Sequence, residues 1–225
     1  MEMKPECRLP AASPGALPGP MARLMSRLMS GAARIPALSL VLVGLPVAGP
    51  AQSETCYAGG AEQGGRLEFR GAVEGSGFSG RFEAFSVLYC MPDAAPEAGT
   101  IEVSVELASA NSRNRDRDQA LVGEEFFHVE RFPISTWSSH RIEREASGYF
   151  AEGVLELKGV RADQAVRFEL SPDGDELIAA GHFVLDGTAE VDRQRFGVGT
   201  GEFADPDFVR DRIELEFEVA LQRRD

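Results

Sequence analysis

Apolar and polar residues alternate along several segments of the chain, and the alternation is clearest near the C-terminus. Over residues 213–221 every second residue is apolar, and three glutamates lie between them. A period of two predicts a β-strand with one buried and one solvated face. The same alternation recurs in shorter segments, which are 67–69, 101–107, 155–157, 166–170 and 183–185.

Turn-forming residues separate these segments, as at 74–77, 92–93 and 171–175. Short one-sided strands joined by turns are typical of an antiparallel sandwich or barrel. One stretch differs, because residues 116–125 combine good helix formers with several charges and predict one short helix with Asp116 as its N-cap. The pattern therefore predicts an all-β domain with a single short helix.

The positions that face inward on these strands mix large and small side chains. The large ones are Phe69, Phe82, Trp137, Phe168, Phe183 and Phe217, and the small ones are Ala151, Gly153, Gly187 and Ala189. A closed barrel of about eight strands has either a packed interior or room for one small ligand. Mixed sizes fit both, since they fill a tapered core or leave an apolar cavity. The pattern alone favours the packed core.

The charge is negative and unevenly placed. The chain has 23 Lys and Arg against 36 Asp and Glu, a net charge of −13, of which residues 1–51 carry +3 and the remainder −16. Nucleic-acid binding depends on clustered Lys and Arg, so this balance argues against a nucleic-acid partner. It argues equally against a polybasic membrane-surface protein.

The N-terminal segment has the pattern of a secretory signal peptide. Three arginines precede an apolar run at 35–47, and small residues follow it up to Ala51. The alternative, a transmembrane anchor, is less favoured because the run is shorter than the roughly 20 residues that span a bilayer. We therefore expect a signal peptide at 1–51, with Met21 as an alternative start, a domain at 52–225 and a periplasmic location.

Export also bears on the cysteines. Cys7 lies in the predicted leader, which leaves Cys56 and Cys90 as a pair. In an oxidising compartment such a pair favours a disulfide. Two buried, unpaired thiols are the alternative.

No catalytic or metal-binding pattern stands out. His128, His140 and His182 have no second His or Cys at metal-ligand spacing. No Gly-x-Ser-x-Gly motif occurs, and the glycines at 197–201 lack the Lys-Ser/Thr ending of a phosphate-binding loop, so a glycine-requiring bend explains them better. We expect a protein without metal or cofactor that is not an enzyme.

Four segments together resemble the YceI-like proteins, which are periplasmic, lipocalin-like binders of polyisoprenoids. Residues 117–133 resemble the family's Arg-Asp-x-x-Leu…Phe-Phe-Asp-Val…Pro segment, and 80–85 resemble its second strand. Residues 153–160 are similar to its Gly-x-Leu-x-Leu-x-Gly-Val strand, and 193–198 to its Arg-x-x-Phe-Gly stretch. The four segments occur in the family's order, and the resemblance spans about residues 56–223.

The chain also departs from the family pattern. His128 stands where the family usually has Asp, Trp137 where it has Phe, and Arg161 where Thr is common, while the pair Cys56 and Cys90 is not general to the family. None of these changes removes apolar lining. The resemblance therefore still implies the fold, but it implies the identity of the ligand less strongly.

The resemblance implies a lipocalin-like antiparallel β-barrel of about eight strands that holds a long apolar chain, such as an isoprenoid quinone tail or a fatty amide. Arg193 is then either a contact to a carbonyl head group or an outer-face ion-pair partner. The lipid-binding residues expected are Phe69, Phe82, Trp137, Leu155, Phe168, Phe183, Leu185 and Phe217. Residues 197–202 are most similar to versions associated with cytochrome b561-type membrane proteins, which gives an alternative function as an accessory protein that docks on such a cytochrome.

Overall fold

The computed structural model describes residues 54–224 apart from 93–94, 174–175 and 177–179. The predicted leader at 1–51 lies outside the described residues. The eleven strands described are β1 Glu54–Gly60, β2 Arg66–Val73, β3 Ser76–Phe82, β4 Phe85–Pro92, β5 Thr100–Glu106, β6 Ala110–Asn111, β7 Ile134–Arg144, β8 Tyr149–Leu157, β9 Val160–Ser171, β10 His182–Asp192 and β11 Arg212–Arg223.

Six of these segments combine in pairs into three long, interrupted strands. β1 pairs with β4 while β2 pairs with β3, and β5 pairs with β4 while β6 pairs with β3. The first strand is therefore β1 with β2, the second β3 with β4, and the third β5 with β6. Together with β7 to β11 they make eight strands, each antiparallel to the next.

The sheet closes between its first and last strands. The C-terminal end of β11 pairs with β1 through Tyr57 opposite Arg223, and the middle of β11 pairs with β2 through Leu215 opposite Phe69. Closure removes the exposed edges that an open sheet would leave. The structure thus confirms an eight-stranded antiparallel barrel with one helix and decides between the sandwich and the barrel that the pattern left open.

The helix, α1, spans Arg115–Val122 and begins one residue earlier than predicted. Its N-cap is Asn114, whose side-chain oxygen accepts a hydrogen bond from the Arg117 amide at 3.0 Å, so the assignment of Asp116 as the cap is wrong. Asp116 lies in the first turn, where a negative charge favours the helix dipole. The helix ends at Val122, with Gly123 as its C-cap, and so stops short of residue 125. None of the helices described in the structure is long and apolar enough to cross a bilayer.

An aromatic layer fills one end of the barrel. It lies where β11 ends and where β8 and β10 begin, and its members are almost completely buried: Tyr57, Tyr89, Tyr149, Phe168 and Phe183. Their rings meet mostly edge to face, with the Tyr57 and Phe183 centroids 4.8 Å apart. At this end Cys56 on β1 and Cys90 on β4 are direct cross-strand partners, and they form a disulfide.

Candidate functional site

Between this aromatic layer and α1 the barrel encloses a cavity of about 220 Å³. The alternation of the strands places apolar side chains on its wall. Only four polar residues contribute to the described lining, which are Ser135, Thr136, Gln164 and Arg193. We call this space the lumen. An apolar wall with few polar groups is typical of a site that binds hydrocarbon rather than a reacting polar substrate.

Two glycines make room for aromatic rings on the wall. A Cβ at Gly153 would lie 2.6 Å from Cε2 of Trp137, and a Cβ at Gly187 would lie 2.6 Å from Cζ of Phe217. Each ring therefore packs against a glycine of the neighbouring strand, in space that a side chain would occupy. Of the other two small residues, Ala189 lines the lumen, whereas Ala151 is fully buried and does not.

Seven of the eight predicted lipid-binding residues line the lumen. They are Phe69, Phe82, Trp137, Leu155, Phe168, Leu185 and Phe217. Phe183 does not, although it faces inward: it lies near the start of β10 in the aromatic layer, and among the five members of that layer only Phe168 lines the lumen. A period-two pattern gives the face of a residue but not its height along the barrel, and height excludes Phe183.

The alternation of the strands does not predict several residues that line the lumen, because these residues lie outside the strands. Leu121 of α1 and the pair Phe126 and Phe127 line the lumen at the end opposite the aromatic layer. The pattern placed residues 124 and 125 in the helix, but the chain turns at Gly123 and brings the two phenylalanines over the barrel. The sequence does contain a sign of this: two adjacent phenylalanines directly follow the acidic pair at 124–125, and two large apolar side chains in a short loop need a surface to pack on.

Of the two roles that the sequence suggested for Arg193, the structure excludes the position on the outer face, and the contact to a head group stays a prediction. The side chain of Arg193 is 3% exposed, so it is not on the outer face. Its guanidinium has five partners in the loop that joins β10 to β11: it donates to the carbonyls of Val198, Gly199, Val209 and Arg210, and it forms an ion pair with the carboxylate of Asp211. Four of the five N–H donors of arginine are therefore engaged by backbone carbonyls.

Burial also lowers the pKa of Arg193, while Asp211 at 3.1 Å opposes that shift. The ion pair and the carbonyl bonds therefore compensate the desolvation of the charge. The arginine holds the 198–199 and 209–211 segments together. Gly199 has a left-handed φ of 77° directly beside the guanidinium, which accounts for one glycine of the 197–201 cluster.

Two loops meet over the end of the lumen near α1. The carbonyl of Glu125 accepts hydrogen bonds from the amides of Gly199 at 2.8 Å and Thr200 at 3.0 Å. It also accepts one from the Lys158 ammonium at 3.2 Å, and that ammonium donates to the Gly197 carbonyl at 2.7 Å. Burial lowers the pKa of Lys158. One carbonyl thus ties the loop after α1 to the loop after β10.

The histidines lie apart. His128 packs edge to face on Phe132, His182 lies 2.9 Å from the Ala180 carbonyl, and His140 is exposed on the outer face of β7. Across the part of the chain that is described, no group of three or more His, Cys, Asp or Glu side chains could hold a metal ion.

Comparison with known proteins shows which family and which solved structures this chain is similar to. A family model described as a YceI-like domain matches residues 62–221. A UPF0312 protein of Yersinia enterocolitica is 28% identical over 113 residues, which are 49% of this chain and 58% of that relative, so the chain spans little more than half the length of the curated relatives it matches. UPF0312 proteins of Yersinia pseudotuberculosis match equally well.

Solved structures share the fold. BcnA of Burkholderia cenocepacia superposes with a TM-score of 0.63 and 22% identity over 70% of this chain and 96% of that one. The YCEI protein of Campylobacter jejuni gives 0.56 and 22% over 65% and 85%. A domain of Saccharophagus degradans, described as polyisoprenoid-binding and implicated in plant cell wall breakdown, gives 0.55 and 11% over 77% and 100%.

Proposed function

The chain belongs to the YceI-like family, and from that premise we propose that it binds a long-chain apolar lipid, an isoprenoid first of all, inside the barrel. The observation that carries the proposal is the lumen itself, whose wall is apolar except for four residues. Such a wall takes up hydrocarbon by removing it from water, at about 25 cal/mol per Å² or about 0.8 kcal/mol per CH₂ buried. An isoprenoid tail is almost entirely hydrocarbon and needs few polar contacts.

The volume of the lumen sets a condition on this binding. Its 220 Å³ exceed the roughly 150 Å³ of a cavity that holds benzene, but lie below the roughly 300–1,000 Å³ of typical ligand pockets. A long tail therefore enlarges the lumen as it enters. Phe126 and Phe127 are half-buried residues from the loop after α1, and we infer that these two rings move to admit the tail.

The finer identity of the ligand and the location are part of the proposal. The similarity to the Saccharophagus degradans domain supports an isoprenoid, and an isoprenoid quinone is the candidate we favour. A periplasmic location is supported by the leader pattern and by the disulfide between Cys56 and Cys90, because such bonds persist in oxidising compartments.

We propose binding without chemical conversion of the lipid. Two polar residues of the described lining are engaged by the protein itself: the Ser135 hydroxyl donates to the Glu156 carbonyl at 2.8 Å, and the Arg193 guanidinium donates to four carbonyls and is paired with Asp211. General acid, base or nucleophilic catalysis requires such a group to be aimed at the bound substrate. Docking on a membrane cytochrome stays a prediction from the sequence.

Organic extraction of the purified protein, followed by mass spectrometry, tests the proposal. A matched pair on one strand supplies the control: Leu155→Glu places a charge in the lumen, whereas Val154→Glu places it on the outer face of β8. We expect wild type and Val154→Glu to carry about one lipid per chain and Leu155→Glu to carry little. Ala189→Met, which fills the lumen without charge, serves if Leu155→Glu fails to fold. Absence of lipid from wild type, together with no uptake of an added isoprenoid, refutes the proposal.

A further inference from the structure

The wall of the barrel is interrupted between β9 and β10. Their antiparallel ladder ends at Arg167 opposite Thr188. β9 nevertheless extends back to Val160 and β10 onward to Asp192. A continued ladder would pair Ala165 with Glu190, but the pairing of the two strands stops before these residues. The two strands therefore separate and leave a slot in the wall.

One side chain bridges this slot. Gln164 Nε2 donates to the Ala165 carbonyl at 2.8 Å and to the Glu190 carbonyl at 3.0 Å, so a side chain replaces the missing backbone hydrogen bonds between the strands. The backbone carbonyl of Gln164 accepts a hydrogen bond from the Trp137 indole N–H at 3.0 Å on the lumen side. The side-chain oxygen of Gln164, Oε1, accepts no hydrogen bond from any of the described residues. Gln164 thus leaves a free acceptor at the slot.

On the outside, the slot opens into a polar groove of about 590 Å³. Gln164 lines this groove as well as the lumen, so it borders both spaces. Amphipathic lipids have a hydrocarbon tail joined to one polar end. The apolar lumen and the polar groove, which meet at Gln164, match the tail and the polar end of such a lipid.

The charges of the groove discriminate between polar ends. Five carboxylates line it against two arginines. Arg212 is paired with Glu190 at 3.2 Å, whereas Asp163 is exposed and has no ion-pair partner within the described part of the chain. A phosphate or carboxylate would lie among like charges, which is unfavourable. A hydroxyl or an ammonium finds acceptors in Asp163 and in Gln164 Oε1.

We propose that this slot and groove form a head-group subsite, in which the tail lies in the lumen and the polar end passes Gln164 into the groove. The class of head group selected is one that donates hydrogen bonds without negative charge: an alcohol, an amine or a phenol, the last being the form that an isoprenoid quinone takes when it is reduced to the quinol. The inference rests on the proposed function, because it assigns the polar end of the same bound lipid.

Three probes with the same C15 isoprenoid tail test the subsite: farnesol, farnesylamine and farnesyl phosphate. Trp137 is the only tryptophan of the chain and lies on the lumen wall, so its fluorescence reports binding. We expect farnesol and farnesylamine to bind about tenfold more tightly than farnesyl phosphate. Asp163→Lys should shift the ratio of phosphate to alcohol affinity by about fivefold towards the phosphate.

Asp186→Lys is the matched control, because Asp186 is exposed on β10 opposite Glu218 and does not line the groove. It makes the same charge change and should leave the ratio unaltered. Equal affinities for the three probes, or equal effects of the two lysine variants, overturn the subsite while tail binding still stands. If none of the three probes binds, the proposed function fails and the subsite fails with it.

Discussion

The indole of Trp137 lies across Gly153 on the neighbouring strand, where a side chain would put its Cβ 2.6 Å from Cε2 and 2.7 Å from Cζ2. The indole N–H then reaches the carbonyl of Gln164, one strand further on, at 3.0 Å. A single aromatic residue on β7 therefore covers β8 and contacts β9. The shape of the lumen on this side depends on the absence of a side chain at residue 153.

Gly153→Ala should displace the indole. The added methyl would also lie 2.5 Å from the Ser138 carbonyl, so the backbone has to move. We expect the free energy of unfolding to fall by about 1–3 kcal/mol, with a change in tryptophan fluorescence, both measured in urea titrations. Gly77→Ala is the control, because its Cβ would have only the Gly71 carbonyl, at 3.9 Å, within 4 Å, and its effect should stay within about 0.5 kcal/mol. Equal effects at the two positions would contradict the packing described.

Removal of the disulfide should destabilise the barrel. Cys56 and Cys90 close a loop of 34 residues, for which the chain-entropy model gives about 3–4 kcal/mol. Cys56→Ala with Cys90→Ala should lower the melting temperature, and a reducing agent should lower that of wild type but not that of the double variant. Mass spectrometry under non-reducing conditions checks the bond. Two free thiols in the purified, unreduced protein would show the prediction to be wrong.

Arg193→Lys should lower stability without altering which lipid binds. Lysine offers three donors in place of five and leaves buried carbonyls unsatisfied, at a cost of about 3 kcal/mol. Arg195→Lys, an exposed position in the same loop, should change the free energy of unfolding by less than about 0.5 kcal/mol. A loss of lipid affinity with no loss of stability in Arg193→Lys would instead support the predicted contact between Arg193 and a head group.

Alkaline pH should weaken the aromatic layer. Burial raises the pKa of Tyr89, whose hydroxyl donates to the Pro96 carbonyl at 2.8 Å. The folded state then keeps a proton that the unfolded state loses above pH of about 10, so stability is constant below that pH and falls above it, by about 1.4 kcal/mol per pH unit for this phenol. Tyr89→Phe should be less stable at neutral pH by about 1 kcal/mol but decline less steeply. Urea titrations of wild type and Tyr89→Phe at a series of pH values above about 10 test this. An equally steep fall of the free energy of unfolding in the two proteins would contradict the prediction.

The sequence predicts the strands whose two faces differ in polarity, such as β11, and it fails where inward residues are small and polar. On β7, Ser135 and Ser139 face inward and are buried, because the first donates to the Glu156 carbonyl and the second accepts from the Ile101 amide. These bonds satisfy the hydroxyls but remove the hydropathy signal. On β4 the opposite occurs: the outward positions include the apolar residues Leu88 and Cys90, so the two faces of the strand do not differ in polarity and no alternation is visible.

Closure and depth depend on contacts that are distant along the chain. The pairing of Tyr57 with Arg223 joins the two ends of the domain, and no local pattern contains it. The same holds for Phe183, whose inward face is predictable but whose place in the aromatic layer follows from the stagger of the strands. The five partners of Arg193 are likewise set by a loop whose path the sequence does not specify.

Photoaffinity labelling with an isoprenoid that carries a diazirine along its tail tests the central claim most directly, since it shows where a bound tail lies. Peptide mapping by mass spectrometry identifies the labelled residues. We expect labels on lumen-facing residues of three strands, Phe69, Leu155 and Phe217, and competition by unlabelled isoprenoid. Labels confined to outer-face residues such as Val154, or labelling that a competitor does not reduce, would contradict binding inside the barrel.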